Sequence, residues 1–239
     1  MRRVAVYAGT RAAYRNMEIA AKSLVRHTAM DRVIFLIEDD VFPAELPELI
    51  SCVNVSGQQW FDPDGPNYAS QWTYMSMMRL ALPDMLAENR VLWLDTDAIV
   101  RKDIGALFDI DLCGCYTAMV EEPVRSRDPF EYFNSGVMLM DLNKLRIDKI
   151  TEKWIRMINS KAFTAPDQDV INIICQGEIL KLPPEWNDAE HITQKTKDPY
   201  IKHYAGSLKW TEPEIFRVYE NQEWTVKTHD PENDSAENQ

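Results

Sequence analysis

Val91-Leu92-Trp93-Leu94-Asp95-Thr96-Asp97 sets two carboxylates at the end of four consecutive large apolar residues. A short, continuous apolar run of this kind is the pattern of a strand covered on both faces. In open α/β sheets ligands gather at the carboxyl ends of such strands, which is where Asp95 and Asp97 fall. Carboxylates at i and i+2 point to the same side of an extended chain. Ala98-Ile99-Val100 follows, so the pair lies between two apolar runs, where unpaired carboxylates repel each other and lose hydration. A divalent cation removes both penalties. Oxygen-rich sites suit Mg²⁺ or Mn²⁺, whose shells substrate phosphates complete. Taken alone, the same tripeptide also reads as a plain polar strand end.

Toward the N-terminus, strand-like runs at Val4–Ala8, Val33–Glu38 and Cys52–Val55 alternate with a helical pattern over Tyr14–His27. That alternation predicts a parallel sheet for the first half. Gly57–Asn67 is rich in turn residues. A long helix is expected over Ser70–Glu88, interrupted at Pro83. Beyond the carboxylates, strands are expected at Tyr116–Val120, Val137–Leu142 and Glu178–Leu182, with a helix near Ile150–Ile158 and another beginning at Asp167. His27 falls at a helix end, His191 in a loop and His229 at the start of the terminal tail.

The chain has 239 residues, 45% of them hydrophobic and 27% charged, enough for one large core. One domain over residues 1–228 is expected, with an acidic tail over 229–239 that has no large apolar side chain and is expected to be disordered. No apolar run approaches the roughly 20 residues of a bilayer span, and the first residues read as a strand and not as a signal peptide. Four cysteines match no zinc spacing and read as free thiols of a cytoplasmic protein. A net charge of −12 argues against nucleic acid as a partner. An anionic nucleotide ligand therefore needs local cations, from a metal or a few placed Lys and Arg.

Arg79 followed by Val91–Asp97, then Tyr132-Phe133-Asn134-Ser135-Gly136-Val137-Met138-Leu139, Pro166-Asp167-Gln168-Asp169-Val170-Ile171-Asn172 and His203-Tyr204-Ala205-Gly206-Ser207-Leu208-Lys209-Trp210, resembles the family 8 retaining glycosyltransferases. That family includes bacterial lipooligosaccharide galactosyltransferases and glycogenin. The resemblance runs from about Val4 to Trp210. It implies an α/β GT-A fold, a single Rossmann-like mixed sheet that binds a nucleotide and is flanked by helices. It also implies transfer of a hexose, with retention, from a nucleoside-diphosphate sugar, UDP-glucose or UDP-galactose by family habit. The acceptor class is a glycan, protein or lipid-linked hydroxyl.

By the same resemblance, Asp95, Asp97 and His203 bind Mn²⁺ (or Mg²⁺), and Gly206 and Lys209 face the donor diphosphate. Arg79 and Thr96 belong with the donor. Asn134 and Ser135 lie near sugar hydroxyls, and Glu121 falls close to a family carboxylate beside the sugar. Asp167 and Gln168 lie in the segment beneath the reacting carbon, where they are the catalytic candidates. The loops Gly57–Asn67 and His203–Trp210 are expected to close over the donor. The chain departs from the family after its first strand. There the family usually places an acidic residue toward the base, whereas Ala8-Gly9-Thr10 offers Ala8 and Thr10 through backbone and hydroxyl contacts. No proline separates Lys209 from Trp210, as one often does in the family. Two rival readings are a sugar-phosphate nucleotidyltransferase, which would show a Gly-rich loop after the first strand, and a carbohydrate-binding protein without chemistry on the same fold.

Overall fold

The computed structural model describes residues 2–189, 192–205 and 213–229, and in 213–216 the backbone alone. The first half builds β1 (Val4–Ala8), α1 (Tyr14–His27), β2 (Arg32–Ile37), β3 (Ile50–Asn54), α2 (Thr73–Met77), α3 (Leu82–Met85) and β4 (Arg90–Leu94). There follow β5 (Ala98–Val100), α4 (Gly105–Phe108), β6 (Thr117–Glu121), β7 (Phe133–Asp141), α5 (Leu142–Ile147), α6 (Ile150–Ser160) and α7 (Pro166–Ile174). The chain then runs through β8 (Ile179–Leu182), β9 (Ile201–His203) and α8 (Pro213–Glu220).

Seven strands form one sheet in the order β3-β2-β1-β4-β7-β6-β8. β3, β2, β1 and β4 are mutually parallel, β7 runs antiparallel to both β4 and β6, and β8 returns parallel to β6. The sheet is therefore mixed, with its parallel half contributed by the N-terminal strands. Both faces are buried. Along β4, Leu92 and Leu94 pack on the face covered by α1, while Val91 and Trp93 pack on the face covered by α6 and α7. β1 and β2 divide their side chains in the same way, which explains why their sequences are continuously apolar.

From β1 the chain steps outward to β2 and β3, then crosses back to place β4 on the other side of β1. The carboxyl ends of β1 and β4 thus flank a topological switch point, where an open α/β sheet leaves a crevice. Ala8-Gly9-Thr10 and Asp95-Thr96-Asp97 border it.

The expected helix over Ser70–Glu88 is not continuous. It breaks into α2, a single 3-10 turn at Met78–Leu80, and α3, which starts with Pro83 in its first turn. Proline there lacks only an N–H that would be unpaired anyway, so it starts a helix instead of kinking one. β7 begins at Phe133, earlier than expected: its first residues pair with the end of β6, and the Asn172 side chain satisfies the other backbone edge of Phe133. Phe133 N donates to Asn172 Oδ1 at 2.7 Å, and Asn172 Nδ2 donates to Phe133 O at 2.8 Å.

Gly57–Asn67, expected to close over the donor, is tied down on α6. Asn67 Nδ2 donates to the carbonyls of Ile158 and Lys161, and Asn159 Nδ2 to that of Trp60. All four cysteines are free, but only Cys175 is buried and Cys113 is exposed. Among the described residues no helix is long and apolar enough to cross a membrane.

Candidate active site

Outside the main sheet, β5 and β9 form a two-stranded antiparallel sheet in which Ala98 pairs with His203. That register carries His203 back to the end of β4. The small sheet is anchored to α1: the Val100 N–H donates to the Ser23 hydroxyl at 3.0 Å, and that hydroxyl donates to the Ala20 carbonyl. His203 Nε2 lies 3.2 Å from Asp97 Oδ1 and 3.8 Å from Asp95 Oδ2. One ligand atom from each of the three residues falls within 4.8 Å of the others. Asp97 and His203 are buried, while Asp95 is partly open to solvent. Two carboxylates and an imidazole at this spacing are a donor set that Mn²⁺ or Mg²⁺ accepts.

Asp95 is not unpaired, as its sequence setting suggested. The Arg79 guanidinium meets Asp95 Oδ1 at 2.8 Å and Asp167 Oδ2 at 3.0 Å, and the Trp93 indole N–H also donates to Asp95 Oδ1. Arg79 further donates to the Ser76 and Ser135 carbonyls and lies over the Trp93 ring. Its donors are directed mostly at the protein, so it acts as a brace between the two carboxylates. Burial pushes the Asp167 carboxyl above its ordinary value, against the opposing pull of Arg79.

Beside this brace, Asn134, Ser135, Gln168 and Glu122 form a buried polar cluster. Gln168 Oε1 accepts from Ser135 N at 2.9 Å and from Asn134 Nδ2 at 3.2 Å, while Gln168 Nε2 donates to Glu122 Oε2 at 3.0 Å. The Ser135 hydroxyl donates to Asp167 Oδ2 at 3.1 Å. Burial raises the Glu122 carboxyl above its usual range, and hydrogen bonds from Asn134 and Gln168 and the nearby Arg125 oppose that rise only in part. The metal set and this cluster open onto one cavity of about 370 Å³. Such a volume is within the usual range for small-molecule sites.

Of the residues singled out in the sequence, Ala8, Thr10, Arg79, Thr96, Asn134 and Ser135 line this cavity. So do Asp167 and Gln168, and the three metal candidates. Gly206, Lys209 and His191 lie outside the described residues, as do 230–239. Glu121 is not at the cavity. It ends β6 with its carboxylate on Lys181 of β8, at 2.5 Å, and the next residue, Glu122, turns inward. Successive side chains on extended chain face opposite ways, so a displacement of one position exchanges them. Asn187, fully buried with Oδ1 2.9 Å from His203 Nδ1, had no signal in the sequence.

A mixed sheet with a carboxylate pair at its switch point, and an imidazole returned to that pair by a second small sheet, defines the GT-A class of glycosyltransferase folds. Within that class, the chain belongs to glycosyl transferase family 8, whose sequence profile matches residues 15–212. The lipopolysaccharide 1,2-glucosyltransferase of Escherichia coli strain K12 is 36% identical over 132 residues, 50% of this chain and 39% of the relative. Glycosyltransferase GlyE of Streptococcus pneumoniae is 28% identical over 198 residues, 78% of this chain and 48% of the relative. The chain thus spans about half the length, or less, of these curated relatives. Among solved structures, GlyE superposes with a TM-score of 0.70 at 24% identity, covering 94% of this chain and 61% of that one. The galactosyltransferase LgtC, in complex with donor and acceptor sugar analogues, superposes with a TM-score of 0.71 at 21% identity, covering 97% and 99%. At these identities the superpositions establish the fold alone.

Proposed function

We propose that this chain moves a hexose from a nucleoside-diphosphate sugar, UDP-glucose or UDP-galactose, to a hydroxyl of a glycan, protein or lipid-linked acceptor, with retention at the anomeric carbon. The observation that carries the reading is the meeting of Asp95, Asp97 and His203 with Asn134, Asp167 and Gln168 around a single cavity. Membership of family 8 supports it. A bound Mn²⁺ or Mg²⁺ supplies positive charge against the charge that grows on the diphosphate as the sugar bond breaks.

The protein's own groups then divide the work. Ala8 and Thr10, at the end of β1, border the nucleoside side of the crevice. Asn134, Asp167 and the inward-facing Glu122 orient sugar hydroxyls, and Arg79 holds Asp95 and Asp167 apart at fixed distance. Lys209 and Gly206 belong to the diphosphate. The Asp167 carboxylate already accepts from Arg79 and Ser135, which reduces its strength as a nucleophile. This favours a front-face path: the acceptor oxygen bonds to the anomeric carbon as the bond to the phosphate oxygen breaks, and the departing phosphate takes the acceptor's proton. Gln168 borders the reacting carbon. We place the reaction in the cytoplasm.

The test is thermal unfolding with MnCl₂ and a panel of nucleotide sugars, together with release of free hexose when no acceptor is added. A metal-dependent rise in stability with one donor, accompanied by slow donor hydrolysis, supports the transferase. Donor binding without any hydrolysis or transfer identifies a binding protein on the same fold, and release of pyrophosphate from a nucleoside triphosphate identifies a nucleotidyltransferase.

A further inference from the structure

The positions of the hydrogens around His203 follow from two backbone groups whose roles are fixed by covalent structure. The Gly136 N–H can only donate, and it lies 3.0 Å from one end of the Asn134 amide, which must therefore be the oxygen. The Ser135 N–H fixes Gln168 Oε1 in the same way, at 2.9 Å, and that oxygen faces the other end of Asn134 at 3.2 Å. Both constraints give Asn134 the same orientation.

Asn134 Oδ1 also stands 2.9 Å from the side-chain amide of Asn187, so the group Asn187 presents there is its NH₂. The opposite end of Asn187 is then its carbonyl oxygen, 2.9 Å from His203 Nδ1. A carbonyl oxygen only accepts, so Nδ1 carries a hydrogen and the neutral ring keeps its lone pair on Nε2. Nε2 is the nitrogen that faces Asp97 and Asp95. A lone pair opposite a carboxylate oxygen at 3.2 Å is an arrangement that a cation between them stabilises.

We propose that Asn187 is a positioning residue of the cation site, which passes the fixed orientation of Asn134 to His203 and holds the imidazole in the tautomer that binds a divalent cation through Nε2. The inference rests on the metal-dependent reading above. Asn187 is suited to the task because it cannot rotate freely. It is fully buried, its backbone N–H donates to the Pro184 carbonyl, and its own carbonyl accepts from the Thr193 hydroxyl at 2.7 Å. It also joins two parts of the site by hydrogen bonds, the imidazole and the amide beside the sugar. A disturbance at Asn134 is therefore felt at His203, through Asn187.

Two measurements test this. Long-range ¹H–¹⁵N NMR of the full chain saturated with Mg²⁺, which is diamagnetic, reads the tautomer without any substitution. The expected spectrum has His203 protonated at Nδ1 and not at Nε2, and a ring protonated at Nε2 with Nδ1 bare overturns the proposal. Mn²⁺ affinity, followed by electron paramagnetic resonance, is then compared among the wild type, Asn187→Ala, Asn134→Ala and Asn67→Ala. Asn187→Ala should bind Mn²⁺ about 10- to 100-fold more weakly, the usual cost of losing a partner behind a metal ligand, and Asn134→Ala should shift in the same direction by less. Asn67, a buried asparagine whose side chain bonds to Ile158, Lys161 and Phe163, should change stability and leave Mn²⁺ affinity intact. Equal affinity in folded wild type and folded Asn187→Ala overturns the role of Asn187 and leaves the transferase reading standing. A wild type that binds no Mn²⁺ overturns both.

Discussion

Gly136 and His203 meet so closely that a β-carbon on Gly136 would lie 2.7 Å from Nδ1 and 2.8 Å from Nε2 of the imidazole, and nearer still to Cε1. No side chain, however small, fits there while the ring stays in place. The glycine in Asn134-Ser135-Gly136 is thus a requirement of the imidazole that rests on it, on a strand whose next residues are all large.

Gly136→Ala should therefore displace His203. The expected outcome is a loss of Mn²⁺ affinity of more than about tenfold, together with overpacking destabilisation of about 1–3 kcal/mol. Mn²⁺ titration and urea unfolding of the same preparation check both effects.

Asp97→Ala removes a buried member of the proposed metal set and should abolish stabilisation by MnCl₂ with the donor. In the wild type, saturation to about 100 times the dissociation constant adds about 2.7 kcal/mol, by linkage. Melting curves with and without metal measure the difference, and a variant that still responds like the wild type would contradict the assignment.

Glu122 gives a pH-dependent prediction. Its folded-state carboxyl holds a proton to higher pH than the same group in the unfolded chain. The folded state therefore binds more protons across that window, and stability falls as pH rises from the ordinary glutamate value of about 4.5 through the raised folded value. Glu122→Gln removes this fall. Urea midpoints of metal-free protein at several pH values should show the variant gaining on the wild type as pH rises through the window, with no such divergence below it.

Glu121→Ala is the matched control. Its carboxylate pairs with the half-exposed Lys181 and accepts from Ser126, so the loss of stability should stay within about 1 kcal/mol. Donor binding, read by the shift in melting temperature, should be that of the wild type.

Gln168→Ala leaves the Ser135 N–H without its acceptor, takes from the Asn134 amide one of two, the other being Glu122, and removes a donor that holds Glu122. Misplacement of the sugar by such a change should lower kcat on the order of 10²-fold. Unchanged turnover would remove Gln168 from the site.

How much of this could be read in the sequence depends on what fixes each element. β1, β4 and α1 were legible because burial on both faces of the sheet, or on one stripe of a helix, leaves a local signature. β7 began earlier than its apolar run because its polar first residues pair with the end of β6 and, through Phe133, with the side chain of Asn172, both distant in the chain. Glu121 was named from resemblance, which places a carboxylate only to within a residue; the side chain that reaches the cavity is that of Glu122, just past a register shift in the pairing of β6 with β7 between Ala118 and Val120. The carboxylate pair and His203 could be named from spacing and resemblance, whereas Asn187 acts only through the groups around it and leaves no pattern.

The pairing of Ala98 with His203 also makes the proposed cation site a product of distant parts of the chain. Asp95 and Asp97 end a strand of the large sheet, whereas the imidazole comes from β9, which pairs with β5 outside that sheet, and β5 is held in turn by α1. A cation that needs all three groups can be captured only where β5 and β9 are paired, so loosening the small sheet would disarm the site while leaving the large one standing.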